Sequence, residues 1–188
     1  MVQNIKEVPY GVSDFQTMVE QNIYYVDKTM YIPELEKQAR YLIFIRPRRF
    51  GKSIFLGMLH AYYDIRTKHK FQQWFGNLWI GKHPTPLQGR YQVMHLDFSQ
   101  VGGNIDNLEE KFNFYMGVQL DGFVRDYAEF YSDELRRKVN ATQDAGGKLA
   151  LIQSEAKVKE YPLYLIIDEY DNFTNTVRNE QGEKLYWA

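Results

Sequence analysis

The residues with the clearest chemical promise are the octapeptide Arg46-Pro47-Arg48-Arg49-Phe50-Gly51-Lys52-Ser53. A glycine permits backbone geometries that turn N–H groups inward, a lysine neutralises terminal phosphates, and a serine hydroxyl can reach a divalent cation. A helix beginning at this point would aim its N-terminal dipole and N–H groups at the same anion. Arg46, Arg48 and Arg49 can each form forked bonds to phosphate oxygens. The pattern departs from G-x-x-x-x-G-K-[ST] at its start, where Arg46 stands in place of glycine. Pro47 partly compensates by fixing one dihedral of the turn. A solvated basic loop, or a patch touching nucleic acid nonspecifically, would use the same residue types.

A second group closes the apolar run Leu163-Tyr164-Leu165-Ile166-Ile167 with Asp168-Glu169. In parallel sheets, ligands gather at the carboxyl ends of strands. Asp168 would hold magnesium directly or through water, and Glu169 would polarise an attacking water. Asp171 could assist or bind a partner. A core strand ending in a polar turn is the plainer alternative. Taken in order, loop and acidic strand end describe a triphosphate site, with ATP and Mg2+ as its cofactors and both places facing one cleft. Asp97 ends another strand and could approach the magnesium shell or serve a turn. Asp27-Lys28-Thr29 offers a helix cap in a segment that could pass near the adenine. The four histidines lack metal-ligand spacing, and without Asn-Lys-x-Asp nothing argues for guanine.

These groups need elements to position them. Tyr41-Leu42-Ile43-Phe44-Ile45 is a continuous apolar run, which predicts a strand buried on both faces in a parallel sheet. After Gly51, the spacing of Ile54, Phe55, Met58, Leu59 and Tyr62 predicts an amphipathic helix, despite Gly57. Upstream, Ser13-Asp14 caps a short helix through Met18 and Val19, and Ile23–Val26 is β-prone. A further helix is expected over 30–38, with Pro33 in its first turn. Residues 66–90 read as irregular, pinned by Phe71, Trp74, Phe75, Leu78 and Trp79. A second strand covers 91–98, and Gly102-Gly103 opens a loop. Helices follow over 108–131, 133–139 and 148–159, then a third strand over 163–167. Three buried strands separated by helices make an α/β fold.

The chain of 188 residues is long enough for one substantial core, and its 44% apolar and 25% charged content is that of a globular domain. A formal net charge of −1 gives no global argument for nucleic acid or membrane. The absence of cysteine excludes disulfides, thiolate metal sites and cysteine nucleophiles. It is compatible with a reducing cytoplasm, the location expected. No signal peptide is evident at the start, and no run approaches the roughly 18 apolar residues of a membrane helix.

Tyr25-Val26-Asp27-Lys28-Thr29, the 46–53 loop and Ile166-Ile167-Asp168-Glu169-Tyr170-Asp171, with an opening segment from Val8-Pro9-Tyr10-Gly11 to Phe15, resemble the AAA-ATPase-like family widespread in bacteria. The resemblance covers about residues 7–173, and in that family the first loop glycine is likewise replaced by arginine. It implies a P-loop NTPase three-layer sandwich with a mainly parallel sheet and an additional strand between the Walker A and Walker B strands. Residues 1–40 would form an N-terminal extension of short helices and residues 41–188 the front part of the ATPase core, incomplete at its C-terminal side. It implies a Mg-dependent ATPase or ATP-driven switch, with Lys52 and Glu169 catalytic and Ser53 and Asp168 at the metal. Family members often continue into a restriction-enzyme-like nuclease domain, which would lie beyond residue 188. The alternative is a nucleotide-gated or inert scaffold for a protein or nucleic-acid partner. Oligomers are compatible with either reading, and no membrane is expected.

Overall fold

The computed structural model describes residues 6–38, 40–45, 47, 49–101 and 107–171. They fall into two compact units, divided between Tyr91 and Gln92.

The first unit is helical. Asp14 opens α1 (Phe15–Glu20) by accepting the Thr17 N–H at 2.7 Å, and Phe15 and Met18 point from one face into the core. The β-prone run 23–26 is not a strand, although the Tyr24 N–H bonds the Glu7 carbonyl at 2.8 Å. A 3₁₀ turn over Thr29–Tyr31 leads into α2 (Ile32–Glu36), shorter than the expected 30–38, with Pro33 in its first turn. The helix after the basic loop is α3 (Lys52–Tyr63); Phe55, Met58, Leu59 and Tyr62 are buried at the expected spacing. A 3₁₀ segment over Ile65–Lys70 precedes α4 (Phe71–Phe75) and α5 (Trp79–Lys82). Residues 66–90 are therefore more regular than their glycines and prolines suggested. Of the expected anchors Trp74 and Phe75 are buried, Phe71 and Leu78 are half-buried and Trp79 is exposed, while Ile80 is a further buried residue. Phe75 stacks on Phe15 at 5.1 Å and meets Tyr62 edge-on at 5.6 Å, tying α1, α3 and α4 together.

The expected buried strand at Tyr41–Ile45 is overturned. The run is not in a strand, and Ile43 and Ile45 are 79% and 81% exposed. Only Phe44 is anchored, stacking on Phe55 of α3 at 4.9 Å. Apolar, β-prone composition is necessary for a buried strand but does not supply ladder partners, and the ladder here lies elsewhere.

In the second unit, β1 (Gln92–Asp97) and β2 (Leu163–Asp168) pair in parallel, Gln92 opposite Leu163 through Asp97 opposite Asp168. These are the only strands among the described residues. The connection carries α6 (Leu108–Asp126), α7 (Asp133–Ala141) and α8 (Ala145–Val158), as a parallel crossover requires. The β1 edge away from β2 is closed by tyrosines. The Tyr127 hydroxyl accepts the Val93 N–H at 2.7 Å and donates to the Val93 carbonyl at 3.3 Å, and Tyr115 of α6 accepts the Asp97 N–H at 3.0 Å. β1 is mostly buried, but β2 is not buried on both faces as its composition suggested, since Leu165 and Ile167 are exposed. Asp144 starts α8 three residues earlier than expected by accepting the Gly147 N–H at 2.6 Å. Lys148 of α8 then reaches both carboxylate oxygens of Asp121 on α6, at 2.5 and 2.6 Å. The Gly102-Gly103 loop lies outside the described residues.

Candidate functional site

The basic loop is built around two left-handed backbone positions. Arg49 has φ +67° and Gly51 has φ +74°, with Gly51 as the residue that caps α3. The Phe50 N–H bonds back to the Pro47 carbonyl at 3.3 Å, which closes the turn. The Phe55 N–H then takes the Gly51 carbonyl at 3.1 Å as the helix is established. Lys52 and Ser53 are the first two residues of α3, where a helix directs its positive dipole end outward. The 12 residues of α3 and its buried face fix that direction relative to the first unit's core. Phe50 is exposed. Arg46 and Arg48 lie outside the described residues.

A third stretch of the first unit reaches this loop. Asp27 closes a local turn and does not cap α2 as expected, since Tyr31 stands at the α2 N-cap without a side-chain cap bond: the Asp27 Oδ1 accepts the Thr29 N–H at 2.8 Å and the Thr29 hydroxyl at 2.7 Å. Its Oδ2 accepts the Trp79 N–H at 2.7 Å, and Thr29 Oγ1 accepts the Ile80 N–H at 3.1 Å. Asp27 and Thr29 therefore serve the start of α5 as well as their own turn. Lys28, between them, points elsewhere: a Cβ built on Gly51 would meet Lys28 Nζ at 3.7 Å. Tyr25 packs edge-on against Phe15 at 5.2 Å. Burial, reinforced by the charge of Asp27, pushes its hydroxyl well above the ordinary phenol range. The sequence placed Asp27-Lys28-Thr29 in one motif, but only the fold reveals that Lys28 approaches the loop.

The acidic strand end belongs to the second unit. Asp168 is the last residue of β2 and is 5% exposed; its Oδ1 accepts the Glu169 N–H at 2.9 Å. Glu169 has φ +52°, a conformation that non-glycine residues rarely hold. Such strain concentrates at functional positions. Asp97 stands opposite Asp168 in register, so two carboxylate residues end adjacent parallel strands. Asp97 already serves a turn, its Oδ1 accepting the Ser99 N–H at 2.9 Å. Burial pushes the pKa of Tyr115 upward, leaving a neutral phenol beside Asp97.

Among the described residues, no three His, Asp or Glu side chains gather to hold a metal. Magnesium uses one or two carboxylates together with substrate phosphates and water, so the carboxylate of Asp168 is by itself a chemically suitable donor type without a closed protein cage. No helix among the described residues is long and apolar enough to cross a membrane.

A family model described as "AAA-ATPase_like: Predicted AAA-ATPase" matches residues 9–187. The chain belongs to the AAA-ATPase-like family. Membership supports ATP and nucleotide binding at the coarse level, and the mixed helix–strand architecture with its parallel pair is consistent with an α/β class. A protein of Azotobacter chroococcum mcd 1, named "Uncharacterized protein in vnfD 5'region", is 44% identical over 55 residues. That stretch is 29% of this AAA-ATPase-like chain and 11% of the Azotobacter protein, so the chain spans a small part of that relative. No solved structure matches the chain.

Proposed function

We propose that this chain is a Mg-dependent P-loop ATPase or ATP-driven switch, with a core of the three-layer P-loop type over 41–188 and an extension over 1–40. One observation carries the reading: Gly51, in a left-handed conformation, starts a twelve-residue helix whose first two residues are Lys52 and Ser53. This arrangement offers a ligand backbone N–H groups, a dipole and an ammonium at one point, the combination a polyphosphate requires.

In this reading Lys52 and the loop 46–53 hold the β- and γ-phosphates, with Arg46, Arg48 and Arg49 adding charge. Ser53 and Asp168 are the residues for magnesium, which when bound supplies positive charge at the phosphate oxygens. Glu169 orients the attacking water. Phosphoryl transfer asks little covalent chemistry of a protein, so positioning and charge account for the catalysis.

Calorimetric titration of the full chain with Mg-ATP tests this. Lys52→Ala should abolish measurable binding, whereas Glu169→Gln should retain it and lose phosphate release. Unchanged affinity in the Lys52 variant would refute the site.

A further inference from the structure

We infer that Lys28 is a second phosphate-binding lysine of the same site, delivered from outside the loop to the nucleotide polyphosphate at Gly51. The inference rests on the nucleotide reading above and goes beyond it, because no part of the 46–53 pattern points to residue 28.

The turn that carries Lys28 is held on both sides. Asp27 spends one oxygen on Thr29 and the other on the Trp79 N–H at 2.7 Å, and Thr29 is fully buried, with its hydroxyl accepting the Ile80 N–H at 3.1 Å. The backbone position of Lys28 is thus fixed by α5, while its long side chain extends to within 3.7 Å of the Cβ position of Gly51. The ammonium approaches the loop at the residue that caps α3. A chain held this way loses less conformational freedom on meeting a ligand than a lysine on a free loop would.

The charge balance also points to a polyanion. No carboxylate among the described residues forms an ion pair with Lys28, and the adjacent Asp27 carboxylate is turned to Thr29 and Trp79. By sequence the 46–53 loop contains no acidic residue that could pair with Lys28. A cation near a helix N-terminus is repelled by its dipole. A di- or triphosphate removes that penalty, and a lysine meets it as a point charge with three donors.

The test is Mg-ATP titration of the full chain as wild type, Lys28→Ala, Lys28→Arg and Lys52→Ala, with thermal unfolding of each and inorganic tripolyphosphate as a second probe. Lys28→Ala should weaken ATP and tripolyphosphate alike by about tenfold, the scale of one hydrogen bond to a charged group. It should flatten the salt dependence, leave the unfolding temperature in place, and be largely restored by Lys28→Arg. Wild-type affinity in Lys28→Ala would overturn the inference while leaving the nucleotide reading intact. A loss of affinity matched by a fall in unfolding temperature and not restored by arginine would also overturn it, as a folding effect. If the wild type itself bound no ATP, the nucleotide reading would fail and this inference with it.

Discussion

Replacing Gly51 with alanine isolates one property of the basic loop, its left-handed turn. Gly51 has φ +74°, and among the described residues a Cβ there meets only Lys28 Nζ, at an ordinary 3.7 Å. The ammonium is the far end of a flexible chain, so steric conflict contributes little. What remains is the backbone cost of an L-residue in the left-handed region, about 1–2 kcal/mol. That cost must appear in one of two places. If the variant loop keeps φ without ligand, stability falls by the full amount, about 2–8 °C in a chain of this size. If the variant loop relaxes, the cost is met on binding, and Kd for Mg-ATP rises about 5- to 30-fold. Thermal unfolding and calorimetry on the same sample measure both, and their sum should recover about 1–2 kcal/mol. Gly51→Asn is the control, because asparagine tolerates this conformation and should behave nearly as wild type. An alanine variant unchanged in both measurements, or an asparagine variant as damaged as alanine, would refute the backbone account.

Two further predictions concern the scaffold. Lys148 is 6% exposed at its side chain and is held by Asp121, so Asp121→Ala strands a buried ammonium and should cost about 3 kcal/mol by urea unfolding. Lys148→Met in the Asp121→Ala background should recover much of it; no recovery would mean that the stranded charge is not the cause. Asp64 is fully buried and accepts from Arg66 at 2.8 Å and pairs with His60 at 3.2 Å. Burial opposes its ionisation, but the hydrogen bonds from His60 and Arg66 outweigh it and hold the carboxyl below the ordinary range. Its stabilisation is therefore complete above the unfolded-state value of about 4 and is lost as pH falls through the lower folded value. Asp64→Asn should cost about 1.5–3 kcal/mol at pH 7 in urea unfolding, and the gap to wild type should close below about pH 4. A gap independent of pH would show that the carboxylate charge is not responsible.

The elements most legible in the sequence are those whose signals are local. Asp14 and Asp144 cap their helices through side-chain bonds, and the α3 stripe from Phe55 to Tyr62 has the period of a helix. Even so, Gly146 and Gly147 hid the first turn of α8, because glycine reads as a breaker unless the capping carboxylate is weighed against it. The short helices α4 and α5 contain too few residues to show a period. Tyr41–Ile45 and β2 show the larger gap. Both are apolar runs, yet only Leu163–Asp168 has a ladder partner, and composition cannot report which edge a strand will meet. The turn and helix start were legible in Gly51-Lys52-Ser53, but the approach of Lys28 was not, since it depends on Asp27 and Thr29 bonding the backbone at Trp79 and Ile80, about fifty residues away.

The two halves of the proposed chemistry are positioned by different forces. Asp168 is delivered by a backbone ladder in continuous register from Gln92 and Leu163 onward, and many side chains can support such a ladder. The basic loop is instead held by individual side chains: Phe44 on Phe55, Asp27 and Thr29 on α5, and the left-handed pair Arg49 and Gly51. Those left-handed positions also bear on the missing glycine. A glycine at 46 would offer permissive backbone at the loop's entrance. Among the described residues, the left-handed turns lie at its exit, on Arg49 and Gly51. Among the described residues, the demand on this loop falls on Gly51 and on the residues that fix its surroundings.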